Sequence, residues 1–187
     1  MMKDHPMKQP MKAKDPPREG PVSIRDKILL AEAFHGRYGE TFRTAAPFKG
    51  LVQEYARALR ATSQVMEDMK FPGTCGKCAS RDTGSCCFEG VEEWYDAVLL
   101  FINLLLGVSL PESREMAGHC FFVGTRGCKL LARHSFCVNF LCPELRSSLG
   151  ADRVSMFNRV AGDELYRGWK LEQAVRRRLL QDKERNI

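Results

Sequence analysis

The chain has no long apolar run. Its longest continuous one, residues 97–110, covers fourteen positions and includes Asn103, against about twenty for a helix that crosses a bilayer, so no membrane span is expected. The opening residues Met-Met-Lys-Asp-His-Pro lead into no apolar stretch of the kind a secretory signal requires, which makes the reducing cytoplasm the expected compartment. Neither G-x-G-x-x-G nor a P-loop is present, so the usual phosphate-cradling turns are excluded. Serine, histidine and aspartate do not fall into a nucleophilic motif, and the carboxylates form no evident acid/base pair. Whether the protein is an enzyme is therefore left open. The net charge of +6 is mild. It collects in the tails, five Lys/Arg against three Asp/Glu in residues 1–21 and six against three in residues 170–187. Aromatic residues do not interleave with those charges as a base-stacking surface requires, so nucleic acid is possible but disfavoured as a partner.

Cysteine is missing from most of the chain and dense in one part of it. All eight cysteines lie between Cys75 and Cys142, in two groups of four: Cys75, Cys78, Cys86 and Cys87, then Cys120, Cys128, Cys137 and Cys142. Cys75 and Cys78 are spaced so that one turn can aim both thiolates at a single ion, about 2.3 Å from each sulfur. A chain of 187 residues with 44% hydrophobic content can build an apolar core without disulfides. In a reducing compartment clustered cysteines more often bind metal than pair; a disulfide framework is the rival.

The order of elements follows from the periodicity. Residues 1–21 carry five prolines among lysines and too little apolar surface to offset the entropy of ordering, so they read as a disordered, basic, proline-rich tail. Residues 22–187 read as one helical domain. Ser23 with Asp26 starts a first helix over 24–38, weakened at its end by Gly36 and Gly39. A second begins near Pro47, with Leu51, Tyr55, Leu59, Thr62, Met66 and Met69 on one stripe, and stops at Phe71-Pro72-Gly73. Residues 74–88 have no period and read as a loop shaped by something other than packing. A buried central helix is expected over 91–106, with Gly107 as its stop. Residues 120–130 form a short hairpin turning at Gly124-Thr125-Arg126-Gly127, which brings Cys120 near Cys128. Cys137 and Cys142 sit on or beside a short helix ending near Gly150. Val154, Phe157, Val160, Trp169, Val175 and Leu179 make a last helical stripe, with a break expected at Gly162-Asp163.

Residues 116–142 hold Arg126, Lys129 and Arg133 and no Asp or Glu, a bias that favours thiolate over thiol. The neighbours Cys86 and Cys87 point to opposite faces if extended, so they serve two sites, or one ligates while the other packs. One principal site drawing on both groups is the preferred arrangement. His119 and His134 adjoin ligand candidates and are secondary ones; His5 lies in the tail and His35 reads as structural. Neither common ferredoxin run is present, nor the spacing of a Cys2His2 finger, so iron–sulfur and zinc both stay open at this point.

The cysteine pattern resembles the YkgJ-type cysteine-cluster family, a zinc- or iron-chelating domain with eight cysteines. Cys75, Cys78, Cys86 and Cys87 match its opening, Cys120 and Cys128 its hairpin, and Arg133-His134-Ser135-Phe136-Cys137 its arginine-to-cysteine segment, with Cys142 at the close. The gap before Cys86 is longer than the family's, and His134 stands where proline is usual. The resemblance covers residues 71–145 and implies all eight cysteines as metal ligands. A related segment in a flagellin lysine methylase is linked with a [4Fe–4S] cluster, so the resemblance implies an iron–sulfur cluster, 4Fe–4S, ahead of Zn2+. The resulting expectation is a mainly α fold: a small helical domain with an irregular, metal-bound cysteine-rich lobe and a short β-hairpin. Its function is to hold the cluster, with electron transfer to a protein partner; the alternative is a zinc-stabilised interaction module without catalytic activity.

Overall fold

A computed structural model describes residues 22–71, 73–75 and 85–185, the side chains of Lys183 and Arg185 excepted. The expected disordered tail, Cys78 and residues 76–84 of the expected loop lie outside the described residues.

The fold is mainly helical with one two-stranded antiparallel sheet. Helix α1 spans Ile24–Thr44. Its capping box is complete: the Asp26 N–H donates to Ser23 Oγ at 3.2 Å and the Ser23 N–H to Asp26 Oδ2 at 3.3 Å, which satisfies two otherwise orphaned donors. The helix runs past Gly36 and Gly39, six residues beyond the expected end at 38. Gly39 has a packing reason to be there, since a Cβ would stand 2.9 Å from the His35 ring. The buried line Ile24, Ile28, Ala31, Tyr38 and Phe42 outweighs the low helix propensity of two glycines.

Helix α2 spans Phe48–Asp68 behind Pro47 and buries Tyr55, Ala58, Leu59 and Thr62. It ends just short of the expected Lys70, whose φ of 62° turns the chain out of the helix. Phe71 is buried, and residues 73–75 are helical where an irregular loop was expected.

The expected helix over 91–106 is two pieces. Val91–Trp94 is a 3-10 turn, and helix α3 spans Ala97–Leu105. Asp96 causes the break: its Oδ1 accepts from the Leu99 N–H at 2.9 Å, so it caps a new helix, as aspartate prefers to do, and does not sit in the first turns of a longer one. Gly107, at φ 85°, supplies the left-handed residue after the helix end.

Strands β1 (Val123–Gly124) and β2 (Gly127–Cys128) pair Val123 with Cys128 and Gly124 with Gly127. Helix α4, Ser135–Asn139, is capped by the His134 ring, whose Nδ1 accepts from the Phe136 N–H at 3.2 Å. Helix α5, Pro143–Arg185, is two helices joined at Gly150 (φ 74°, ψ 167°), where an end was expected. It continues through Gly162-Asp163 without the expected break.

Helix α1 packs on α3 and on α2, and α5 lies along α2. The larger of two apolar clusters gathers α1, α3, Tyr55, Leu59, Leu171 and Val175 with the hairpin region Cys120–Val123. The smaller joins Met69 and Phe71 to Val138, Leu141, Leu145, Phe157 and Ala161. No helix among the described residues is long and apolar enough to cross a membrane.

Candidate metal centre

The two cysteine groups meet along a backbone seam. The Cys120 N–H donates to the Cys87 carbonyl at 2.8 Å, the Glu89 N–H to the Gly118 carbonyl at 3.2 Å, and Phe88 forms an antiparallel bridge with His119. Residues 87–89 thus lie against 118–120 as a short antiparallel pair. An ion-pair clamp holds the seam: Arg114 donates to the His119 carbonyl and to Glu92 Oε1. Glu92 is 2% exposed. Burial works to raise its pKa, but hydrogen bonds from its own backbone N–H, from Arg114 and from Gly90 hold it below the ordinary value.

Behind the seam, the side-chain amide of Asn103 uses its full capacity on backbone. Its Oδ1 accepts from the N–H groups of Leu131 and Ala132, each at 3.0 Å, and its Nδ2 donates to the carbonyls of Leu99 at 3.0 Å and Ala132 at 2.8 Å. Two lone pairs and two N–H bonds are all that an amide offers. The residue that interrupts the apolar helix therefore pins the segment leading into Arg133 and His134.

Five thiols gather on this frame. Cys86, Cys128 and Cys137 all act electrostatically on the Cys87 thiol, and Cys128 and Cys137 act on Cys120. Tyr95 is in the same group: its hydroxyl accepts from the His134 N–H at 3.0 Å and donates to Cys137 Sγ at 3.8 Å. Cys87 donates a hydrogen bond to Cys86, which raises its own pKa and lowers that of Cys86. Burial pushes Cys120 up to about 12. Desolvation likewise raises Cys137 and Cys128, although Cys128 is an exposed residue of the hairpin. Arg133 opposes that rise at both.

Cys75 is exposed at the end of the turn 73–75. Cys142 packs against the smaller cluster, and its sulfur accepts from the Leu145 N–H at 3.4 Å. The His119 ring faces the Ala117 carbonyl at 3.0 Å, and His134 spends Nδ1 on the α4 cap. Among the described residues, no group of three or more His, Cys, Asp or Glu side chains is disposed to hold a metal ion. The donor chemistry suits a thiophilic metal, since five sulfurs and one cation converge, but they are not drawn into a coordination sphere. Sequence reasoning singled out the thiols and Arg133 and missed Tyr95, Glu92 and Arg114. A tyrosine beside an otherwise apolar segment was the available signal for the first. No family model, curated protein or solved structure matches the chain.

Proposed function

We propose that this chain is a metal-binding protein that holds an iron–sulfur cluster through its clustered cysteines and exchanges electrons with a protein partner in the cytoplasm. The observation that carries the reading is the convergence of thiols from both sequence groups, Cys86 and Cys87 with Cys120, Cys128 and Cys137, on the seam joined at Cys120 N–H to Cys87 O. The resemblance to the YkgJ-type family points the same way. These five cysteines would supply the thiolates, with Cys75 and Cys78 on the adjoining segment as further ligands. A cluster so bound supplies a redox couple whose potential depends on hydrogen bonds to its sulfurs and on burial. The Tyr95 hydroxyl at Cys137 is one such hydrogen bond, and Arg133 offsets the charge of Cys128 and Cys137. Because burial holds three of the thiols protonated, metal loading has to release protons and strengthens as pH rises.

The second reading is a zinc-stabilised interaction module. It is favoured by the exposed aromatics around the thiols: Phe88, Trp94 and Phe140 are each more than 40% exposed, and such residues are enriched where proteins dock.

An absorption spectrum with iron, zinc and sulfide analysis, on protein purified without air, separates the two. Brown protein with broad visible absorbance and acid-labile sulfide is the expected result. Colourless protein with stoichiometric zinc would move the function to the docking surface. Protein that binds neither metal, or a Cys120→Ser, Cys137→Ser variant with undiminished metal content, would overturn the site.

A further inference from the structure

A cavity of about 350 Å³ opens between α2, the 3-10 turn, residues 133–135 and α5, within the roughly 300–1,000 Å³ typical of small-molecule sites. Trp94, Trp169 and Tyr55 give it aromatic walls, and Arg133, His134 and Ser135 a polar side. We propose that it binds a small organic anion with a flat apolar body, the acid group on Arg133 and the Tyr55 hydroxyl and the body against the two indoles.

The charges decide the sign of the ligand. Asp96 and Glu172 also line the cavity, but both are ion-paired to Arg176, and Asp96 is further occupied by the Leu99 N–H. Arg133 has no carboxylate in an ion pair among the described residues; its guanidinium donates to Met66 Sδ at 3.2 Å, and a thioether is a weak acceptor. It acts at longer range on Cys128, Cys137 and Glu164, and its five N–H groups allow it to face both the thiols and the cavity. Tyr55 is 3% exposed, and its hydroxyl has no hydrogen-bond partner among the described residues. Tyr55 lines the cavity, so an acid oxygen there can accept the hydrogen bond its hydroxyl has to give. Gly168 belongs to this arrangement, because a Cβ there would stand 2.9 Å from the Tyr55 ring. Arginine with a second donor is a common way to hold a carboxylate, and aromatic walls suit a planar body.

The inference goes beyond the metal reading and does not rest on it. Trp94 and Trp169 are the chain's two tryptophans and both line the cavity, so all tryptophan emission reports from it. Titration with benzoate, and separately with benzamide, compares one ring with and without the charge. Saturable quenching by benzoate, at least about tenfold tighter than by benzamide, is expected. Arg133→Gln should bring benzoate to the benzamide level. Tyr55→Phe, which keeps the ring and its packing, should weaken benzoate several-fold, and it carries the test should the arginine variant not fold. Absence of saturable quenching by benzoate, equal affinity for the two probes, or a preference that survives both substitutions would overturn the proposal.

Discussion

Glu164 is a carboxyl group in the wrong place for a charge. It is 1% exposed at the face of α5 that meets α2, and neither carboxyl oxygen has a hydrogen-bond partner among the described residues. Its neighbour Thr62 spends its hydroxyl on the Ala58 carbonyl at 3.3 Å. Burial therefore raises the Glu164 pKa above its ordinary 4.5. For an acid with a raised folded-state pKa, the contribution to stability is fully present below the unfolded value and is lost as pH rises through the folded one. Glu164→Gln, the same size and neutral throughout, should match the native protein in acid and melt at higher temperature once the carboxyl ionises. Thermal melts across the pH range check this; a difference that does not change with pH would show that Glu164 does not titrate in the fold. Periodicity gave no warning of this residue. It put Val160 and Trp169 on the inner stripe, whereas α5 buries Phe157, Ala161, Glu164, Leu171 and Val175 and leaves Trp169 55% exposed. The register chosen from large apolar residues was displaced because glutamate is rarely buried and was not counted as a core residue.

Between residue and fold stand the joints that hold elements together, and Asn103 is the firmest of these. It ties α3 to residues 131–132 by three hydrogen bonds. Asn103→Ala would orphan buried backbone groups there, each at about 1–3 kcal/mol. A stability loss on the order of 3 kcal/mol or more is expected, read as a lower urea midpoint with an unchanged slope. A loss near that of an exposed substitution would mean the 131–132 backbone finds other partners. Local chemistry made the helix caps legible: Ser23 with Asp26, Gly107 and Gly150 all fall where the sequence put them. The split at Asp96 was not, because an aspartate five positions into an apolar segment satisfies both a dipole argument and a capping one. Only the tertiary fit of Trp94 against Phe136, with ring centres 4.8 Å apart, and of Tyr95 against Phe122 at 5.0 Å distinguishes them.

At the scale of the molecule, two apolar clusters divide the cysteines. Cys87, Cys120 and Cys137 pack with the larger and Cys142 with the smaller. If the metal site belongs to the larger cluster, Cys137→Ser should strip most of the bound metal while Cys142→Ser leaves it near the native level, both measured by metal analysis at matched concentration. Equal loss in the two would extend the site to Cys142, as the family resemblance implies. That the thiols are confined to one window was legible from cysteine placement alone. Which thiols converge was not, since it depends on the Cys87–Cys120 seam and on Asn103, neither of which follows from spacing.

The seam also sets an order of events during synthesis. The Cys87 carbonyl waits for a partner N–H that is 33 residues further along the chain. A ribosome adds residues at about 5–20 per second, so the first cysteine group emerges seconds before the segment that aligns it. For that interval Cys75 to Cys87 stand on an unfinished chain, and a metal held jointly by both cysteine groups, as proposed, would enter only after residue 120 has left the tunnel.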